Sequence, residues 1–244
     1  MAAIVLVPGF WTRSMGMGRS DSGTETAGHD VYPLTLTGLA DRAAEATPDV
    51  DIYTHVDDIV RLIDDNGAGC GAGRTQWSEP AGYRRRGPDP GAHSTDRVCG
   101  RRTVAWRHGR DRLQQAQTQQ EWRKQVAEKG DGWQLPAPPF EPAADPDHLA
   151  GLTTEQLARM AKLATPQPFA TATRALNRPT VPPDTRCSVI ASTLTPEQVR
   201  MLADSGNPVF KSMADADLPH LPTGHWPMFS QPIELASLLD EITR

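Results

Sequence analysis

Residues 3–11 read Ala3-Ile4-Val5-Leu6-Val7-Pro8-Gly9-Phe10-Trp11. A continuous apolar run closed by Pro-Gly has the length of a strand and the pattern of one buried on both faces, which points to a parallel sheet. Working outward, His29-Asp30-Val31-Tyr32-Pro33-Leu34-Thr35-Leu36 supplies a second strand over 29–36. Asp51–Asp65 then carries Ile52, Val56, Ile59, Val60 and Ile63 at three- and four-residue spacing. That spacing predicts an amphipathic helix, stopped at Asn66-Gly67. Strand, strand and helix in this order predict an α/β protein.

The second half of the chain is patterned in the same way. Glu121–Lys129 is a helix candidate and Pro136–Pro146 a proline-rich connector. Thr153-Thr154-Glu155-Gln156 opens a helix through Leu157, Met160 and Leu163. Cys187–Ala191 is another short buried-strand candidate, and Thr195-Pro196-Glu197 starts a helix with proline in its favoured first turn. Pro232–Ile242 carries Ile233, Leu235, Leu238, Leu239 and Ile242 on a last helix. Residues 3–8, 29–36 and 187–191 are expected to lie side by side in one mainly parallel sheet.

Between these halves the composition changes. Arginine outnumbers lysine 21 to 4, and ten of the arginines lie between Arg74 and Arg112. From Gly67 to Gln119 the aliphatics, Met and Phe are reduced to Val98, Val104 and Leu113. Such a stretch buries too little surface to offset its ordering entropy, so loose packing is expected over 67–119. For the whole chain of 244 residues, a net charge of −5 gives no reason to expect nucleic acid or an anionic membrane as partner. Cys70, Cys99 and Cys187 are too few and too irregularly spaced for a disulfide framework or a metal knuckle. No apolar run reaches the ~18 residues of a membrane span. No basic region precedes Ala2–Val7, so no signal peptide is expected and a cytoplasmic location is.

Four pieces together resemble the α/β-hydrolase superfamily, and within it the small esterases related to salicylate-ester esterases and hydroxynitrile lyases. They are Ile4–Trp11, then Val31–Leu39, then His55–Val60, and Gly224-His225-Trp226-Pro227-Met228-Phe229. The resemblance implies a mainly parallel sheet flanked by helices, in a single domain spanning 1–244 with a small helical cap inserted at 118–175. It implies a serine hydrolase cleaving a small carboxylic ester, with no metal or organic cofactor and with neither nucleic acid nor membrane as partner. His225 would be the general base that takes the serine proton and returns it to the leaving group. The backbone N–H of Phe10 would be one oxyanion-hole donor. His220 is the nearest competing histidine.

The family pattern breaks where the nucleophile belongs. After the 51–65 helix an aliphatic strand should run into a sharp turn of Gly-x-Ser-x-Gly type. The chain instead reads Gly67-Ala68-Gly69-Cys70-Gly71-Ala72-Gly73-Arg74-Thr75-Gln76-Trp77-Ser78. Codons compatible with Gly67–Trp77, read one nucleotide later, spell A-L-V-V-V-L-V-A-H-S-G, a strand followed by an elbow. The same shift permits a helix and strand within Arg84–Arg112, and a family-like oxyanion loop within Trp11–Thr26. Compensated frameshifts near 12–26 and 67–119 are therefore expected. The literal chain would then be a catalytically dead or misfolded relative without its elbow. Ser78, the nearest serine, lacks the small neighbours a strained turn needs, so no nucleophile is legible.

The acid partner of His225 is also unassigned. Thr193 stands at about the place where the family has an aspartate, and Glu197 and Asp204 nearby belong to a predicted solvated helix face. A further alternative takes Arg84-Arg85-Arg86 and Arg101-Arg102, with Trp77, Tyr83 and Trp106 among them, as a nucleic-acid-binding module. Arginine-rich translation of a shifted GC-rich frame accounts for the same residues.

Overall fold

The computed structural model describes residues 3–12, 28–66, 103–104, 116–174, 187–207, 210, 213 and 215–243. Strand β1 (Ala3–Leu6) pairs in parallel with β2 (Asp30–Pro33), in the register Ala3↔Asp30 to Leu6↔Pro33. The Leu34 N–H donates to the Leu6 carbonyl at 3.0 Å and continues the ladder. A 3₁₀ helix at Ala40–Glu45 and then the first α-helix, α1 (Ile52–Asp65), follow. Strand β3 (Thr103–Val104) pairs in parallel with β6 (Cys187–Ser188), and parallel bridges Ser188↔Asp217 and Ala191↔His220 add the 217–220 run on the other side of β6.

Between β3 and β6 lie α2 (Ala116–Lys129), β4 (Gln134–Leu135), α3 (Thr154–Leu163), β5 (Gln167–Pro168) and α4 (Ala170–Thr173), with β4 and β5 antiparallel. Helices α5 (Pro196–Asp204), α6 (Pro227–Ser230) and α7 (Pro232–Thr243) complete the described chain. Alternating strands and helices with mainly parallel pairing are as the opening 65 residues predicted.

Two expectations are corrected. Strands 3–8, 29–36 and 187–191 do not share one sheet among the described residues: β1 pairs with β2, β6 with β3, and β4 with β5. Among the described residues β1 has a paired neighbour on one side alone, and it is half-buried along its length rather than enclosed on both faces. The expectations placed on 12–26 and 67–119 fall, apart from Thr12, β3 and the start of α2, outside the described residues.

Helix starts follow their local chemistry. Asp51 caps α1, accepting from the N–H groups of Tyr53 and Thr54, while Thr54 answers back to Asp51 N–H as a capping box. Thr153 with Gln156, and Thr195 with Gln198, do the same for α3 and α5. The apolar stripe of α1 is only half the story. Its deepest residues are His55 and Asp58, which face the loop after β2, while Ile59 and Leu62 pack on Leu34, Leu36 and Leu39. Helix α7 buries Leu235, Leu239 and Ile242 against Ile190 and Leu221.

The Asp58 carboxylate is the hub of that buried loop. It accepts from the Thr37 N–H at 2.7 Å, the Thr37 hydroxyl at 3.0 Å and the Arg42 guanidinium at 3.1 Å. Hydrogen bonds from Arg42 to Glu45 and Asp58 raise the arginine's affinity for its proton. Nearby, Nε2 of His55 lies 3.0 Å from the Thr37 carbonyl. A carbonyl only accepts, so Nε2 carries the proton. Burial depresses the His55 pKa, against the opposing influence of the Thr37 carbonyl and Asp58.

Candidate functional site

His225 lies in the loop that leads from the 217–220 run into α6, and its side chain is half-buried. Gly224 explains how that loop sits so close to residues 148–150. A Cβ there would meet the Ala150 carbonyl oxygen at 2.5 Å and the His148 carbonyl oxygen at 2.7 Å, so only glycine fits. The close approach lets the His225 N–H donate to the His148 carbonyl at 2.8 Å. The imidazole stands edge-to-face with the rings of His148 and Trp226, at centroid distances of 5.4 Å and 5.3 Å.

Trp226 anchors the loop. It is buried with Phe140, Leu149 and Met160, with Leu157 and Ala164 packed against the same cluster. All of these partners come from 116–174, so the segment between β3 and β6 determines where His225 stands. His148 in turn places Nδ1 2.6 Å from an Asp145 carboxylate oxygen, with both side chains more than half exposed. This Asp-His pair beside His225 was not singled out from the sequence. The i,i+3 spacing of Asp145 and His148 was the available signal, but it is common on solvated turns.

At the carboxyl end of β1 the chain turns at Phe10-Trp11, with the two rings edge-to-face at 5.7 Å. Trp11 has φ +63°, a left-handed conformation uncommon for any residue but glycine. Its N–H donates to Oε1 of Gln167 at 3.2 Å, and its carbonyl accepts from the Thr165 N–H at 3.0 Å. The segment 164–167 therefore meets both halves of the site: Ala164 packs on the Trp226 cluster, and Thr165 and Gln167 bond the turn that follows Phe10. Gln167 and Thr165, 156 and 154 residues from Trp11 along the chain, could not be found by local reading.

The other candidates separate as follows. His220 is exposed and registered beside Ala191. Thr193 is exposed. Glu197 and Asp204 are exposed on α5, and Glu197 is held below the usual carboxylate range by its own backbone N–H and the Thr195 hydroxyl, as befits a helix start. Ser78 and the arginine-rich motifs lie outside the described residues. Among the described residues, no group of three or more His, Cys, Asp or Glu is placed to hold a metal ion, and no helix is long and apolar enough to cross a membrane.

Solved structures match the chain along its whole length. An extracellular α/β-hydrolase from a Paenibacillus species, described as sharing structural and functional homology with tobacco salicylic acid binding protein 2, superposes with a TM-score of 0.67 at 14% identity, covering 100% of both chains. A histidine-to-alanine variant of tomato methylketone synthase I, complexed with β-ketoheptanoate, gives a TM-score of 0.55 at 12% identity, over 99% of this chain and 96% of that one. No family model and no curated protein sequence matches the chain. At these identities the likeness defines the fold, and the fold is that of the α/β-hydrolases.

Proposed function

We propose that the chain is built as a serine-type hydrolase of small carboxylic esters, with 118–175 as a cap over the site. His225 is the general base and the Phe10 N–H an oxyanion donor. A serine hydroxyl attacks the ester carbonyl while His225 accepts its proton. The carbonyl oxygen, now anionic, is stabilised by the Phe10 N–H, and His225 returns the proton to the departing alcohol. Water then repeats the sequence on the acyl-enzyme. The observation that carries this reading is the fastening of the His225 loop and the Phe10–Trp11 turn to one short segment of the cap, 164–167. The likeness to a hydrolase described by its homology to salicylic acid binding protein 2 supports a small aromatic ester as substrate.

The nucleophile belongs to the shifted reading of 67–77, so the literal chain is an inactive member of this class. Losing a triad nucleophile costs on the order of 10⁶ in turnover. An aryl-ester assay on three proteins tests both statements: the literal chain, a chain with the frame restored through 67–119, and that restored chain with His225→Ala. Turnover is expected in the second alone. Equal rates in the first two would remove the frameshift reading, and full activity in the histidine variant would move the base to His220.

A further inference from the structure

The turn after β1 carries two costs. Trp11 is left-handed at φ +63°, a conformation that crowds the Cβ of any residue but glycine against the backbone. Its indole Nε1–H is also buried and has no hydrogen-bond partner among the described residues, and an orphaned donor is itself destabilising. Such a conformation persists only where its surroundings over-determine it, and it does so characteristically at functional sites.

The surroundings here come from 165–171. Gln167 is 1% exposed, and its carboxamide can face only one way. Its Nε2 donates to the Thr171 hydroxyl at 2.7 Å, and that hydroxyl spends its single proton on the Pro168 carbonyl at 2.7 Å. Thr171 can therefore only accept from Gln167, which leaves Oε1 turned to the Trp11 N–H. Thr165 holds the other side of Trp11 through its N–H. Its hydroxyl accepts from the N–H of Ala40, a second left-handed residue, at 2.9 Å. One short segment thus clamps the turns beyond the carboxyl ends of both β1 and β2. In open α/β sheets that is where ligands bind.

We propose that Gln167 is a positioning residue for ester hydrolysis: its oriented carboxamide locks the Phe10–Trp11 turn, so that the Phe10 N–H meets the anionic oxygen of the tetrahedral intermediate. This rests on the oxyanion role given to Phe10 above. The cap is then part of the oxyanion hole's framework as well as a cover, acting through Trp11 rather than on substrate.

The test needs no nucleophile. The full chain is labelled with 5-fluorotryptophan, the Trp11 resonance is assigned with Trp11→Phe, and ¹⁹F spectra are followed during titration. The two probes are an aryl methylphosphonate, a tetrahedral anion, and the matching neutral aryl ester. Gln167→Met keeps the side-chain length and removes both hydrogen bonds. Thr171→Val leaves Gln167 in place but frees its amide to flip. In both variants the Trp11 resonance is expected to move while those of Trp122, Trp133 and Trp226 hold. Phosphonate affinity is expected to weaken about tenfold, as for one well-placed hydrogen bond, with ester affinity changed by less than about twofold. An unmoved Trp11 resonance in both variants would overturn the proposal and leave the oxyanion reading standing. A moved resonance with unchanged phosphonate affinity, or no phosphonate binding by the native chain, would overturn the oxyanion reading and the proposal with it. Equal weakening for ester and phosphonate would mean that Gln167 only holds the fold.

Discussion

Replacing Asp58 with alanine tests whether the buried polar hub, rather than the apolar stripe of α1, fastens that helix to the loop after β2. The carboxylate is 4% exposed and serves three donors: Thr37 N–H, the Thr37 hydroxyl and Arg42. Removing one partner of a buried ion pair costs about 3–5 kcal/mol, because the other is left uncompensated. Two features put Asp58→Ala at the low end of that range. The Arg42 side chain is 28% exposed and keeps its contact with Glu45, so water and that carboxylate absorb part of its loss. The Thr37 hydroxyl can rotate to another acceptor. The backbone N–H of Thr37 cannot, and its orphaning alone costs about 1–3 kcal/mol. A loss of about 3 kcal/mol follows, a sizeable share of the 5–15 kcal/mol that ordinarily stabilises a domain. In urea this lowers the unfolding midpoint by about 1 M or more at an ordinary slope. Asp58→Asn keeps one acceptor oxygen and the shape, and should lose about half as much. A midpoint for Asp58→Ala within about 0.2 M of the native chain would refute the reasoning, since a solvated surface carboxylate would behave in that way.

His55→Gln probes the same region through pH. Burial depresses the His55 pKa, so the unfolded chain binds its proton more tightly, and stability should fall as pH drops below about 6.5. Urea midpoints measured between pH 7.5 and 5 should show that decline in the native chain and a flatter one in His55→Gln, whose amide keeps a donor for the Thr37 carbonyl; parallel declines would exclude His55 as the source. Trp226→Ala should cost about 3–5 kcal/mol by emptying the cluster of Phe140, Leu149 and Met160. It should also shift and broaden the His225 ring-proton resonances, and unchanged resonances would show that Trp226 does not hold the imidazole.

The parts of the molecule whose cause lies within four residues were legible in the sequence. Asp51, Thr153 and Thr195 start helices because a side-chain oxygen reaches N–H groups two or three residues on. Ala3–Leu6 and Asp30–Pro33 become strands because of their apolar character and the Pro-Gly that ends the first run. His225 and Phe10 were singled out by the resemblance of the motifs around them to those of a known family, and not by anything their own spacing shows. The expectations for Gly67–Gln119, which is poor in aliphatics, fall almost wholly outside the described residues.

What the tertiary structure alone decided is which distant groups meet at the candidate site. The deepest residues of α1 are the polar His55 and Asp58, because the loop after β2 offers donors and acceptors there that no periodicity reports. Asp145 and His148 stand beside His225 because Gly224 admits the 148–150 backbone. Gln167 reaches Trp11 across 156 residues, and Arg174 reaches the Asp51 cap across 123. Capping and periodicity act within a turn or two of helix and leave their mark on neighbouring letters. A hydrogen bond across 156 residues depends on where the whole intervening chain has been packed, and that is decided only when the fold closes.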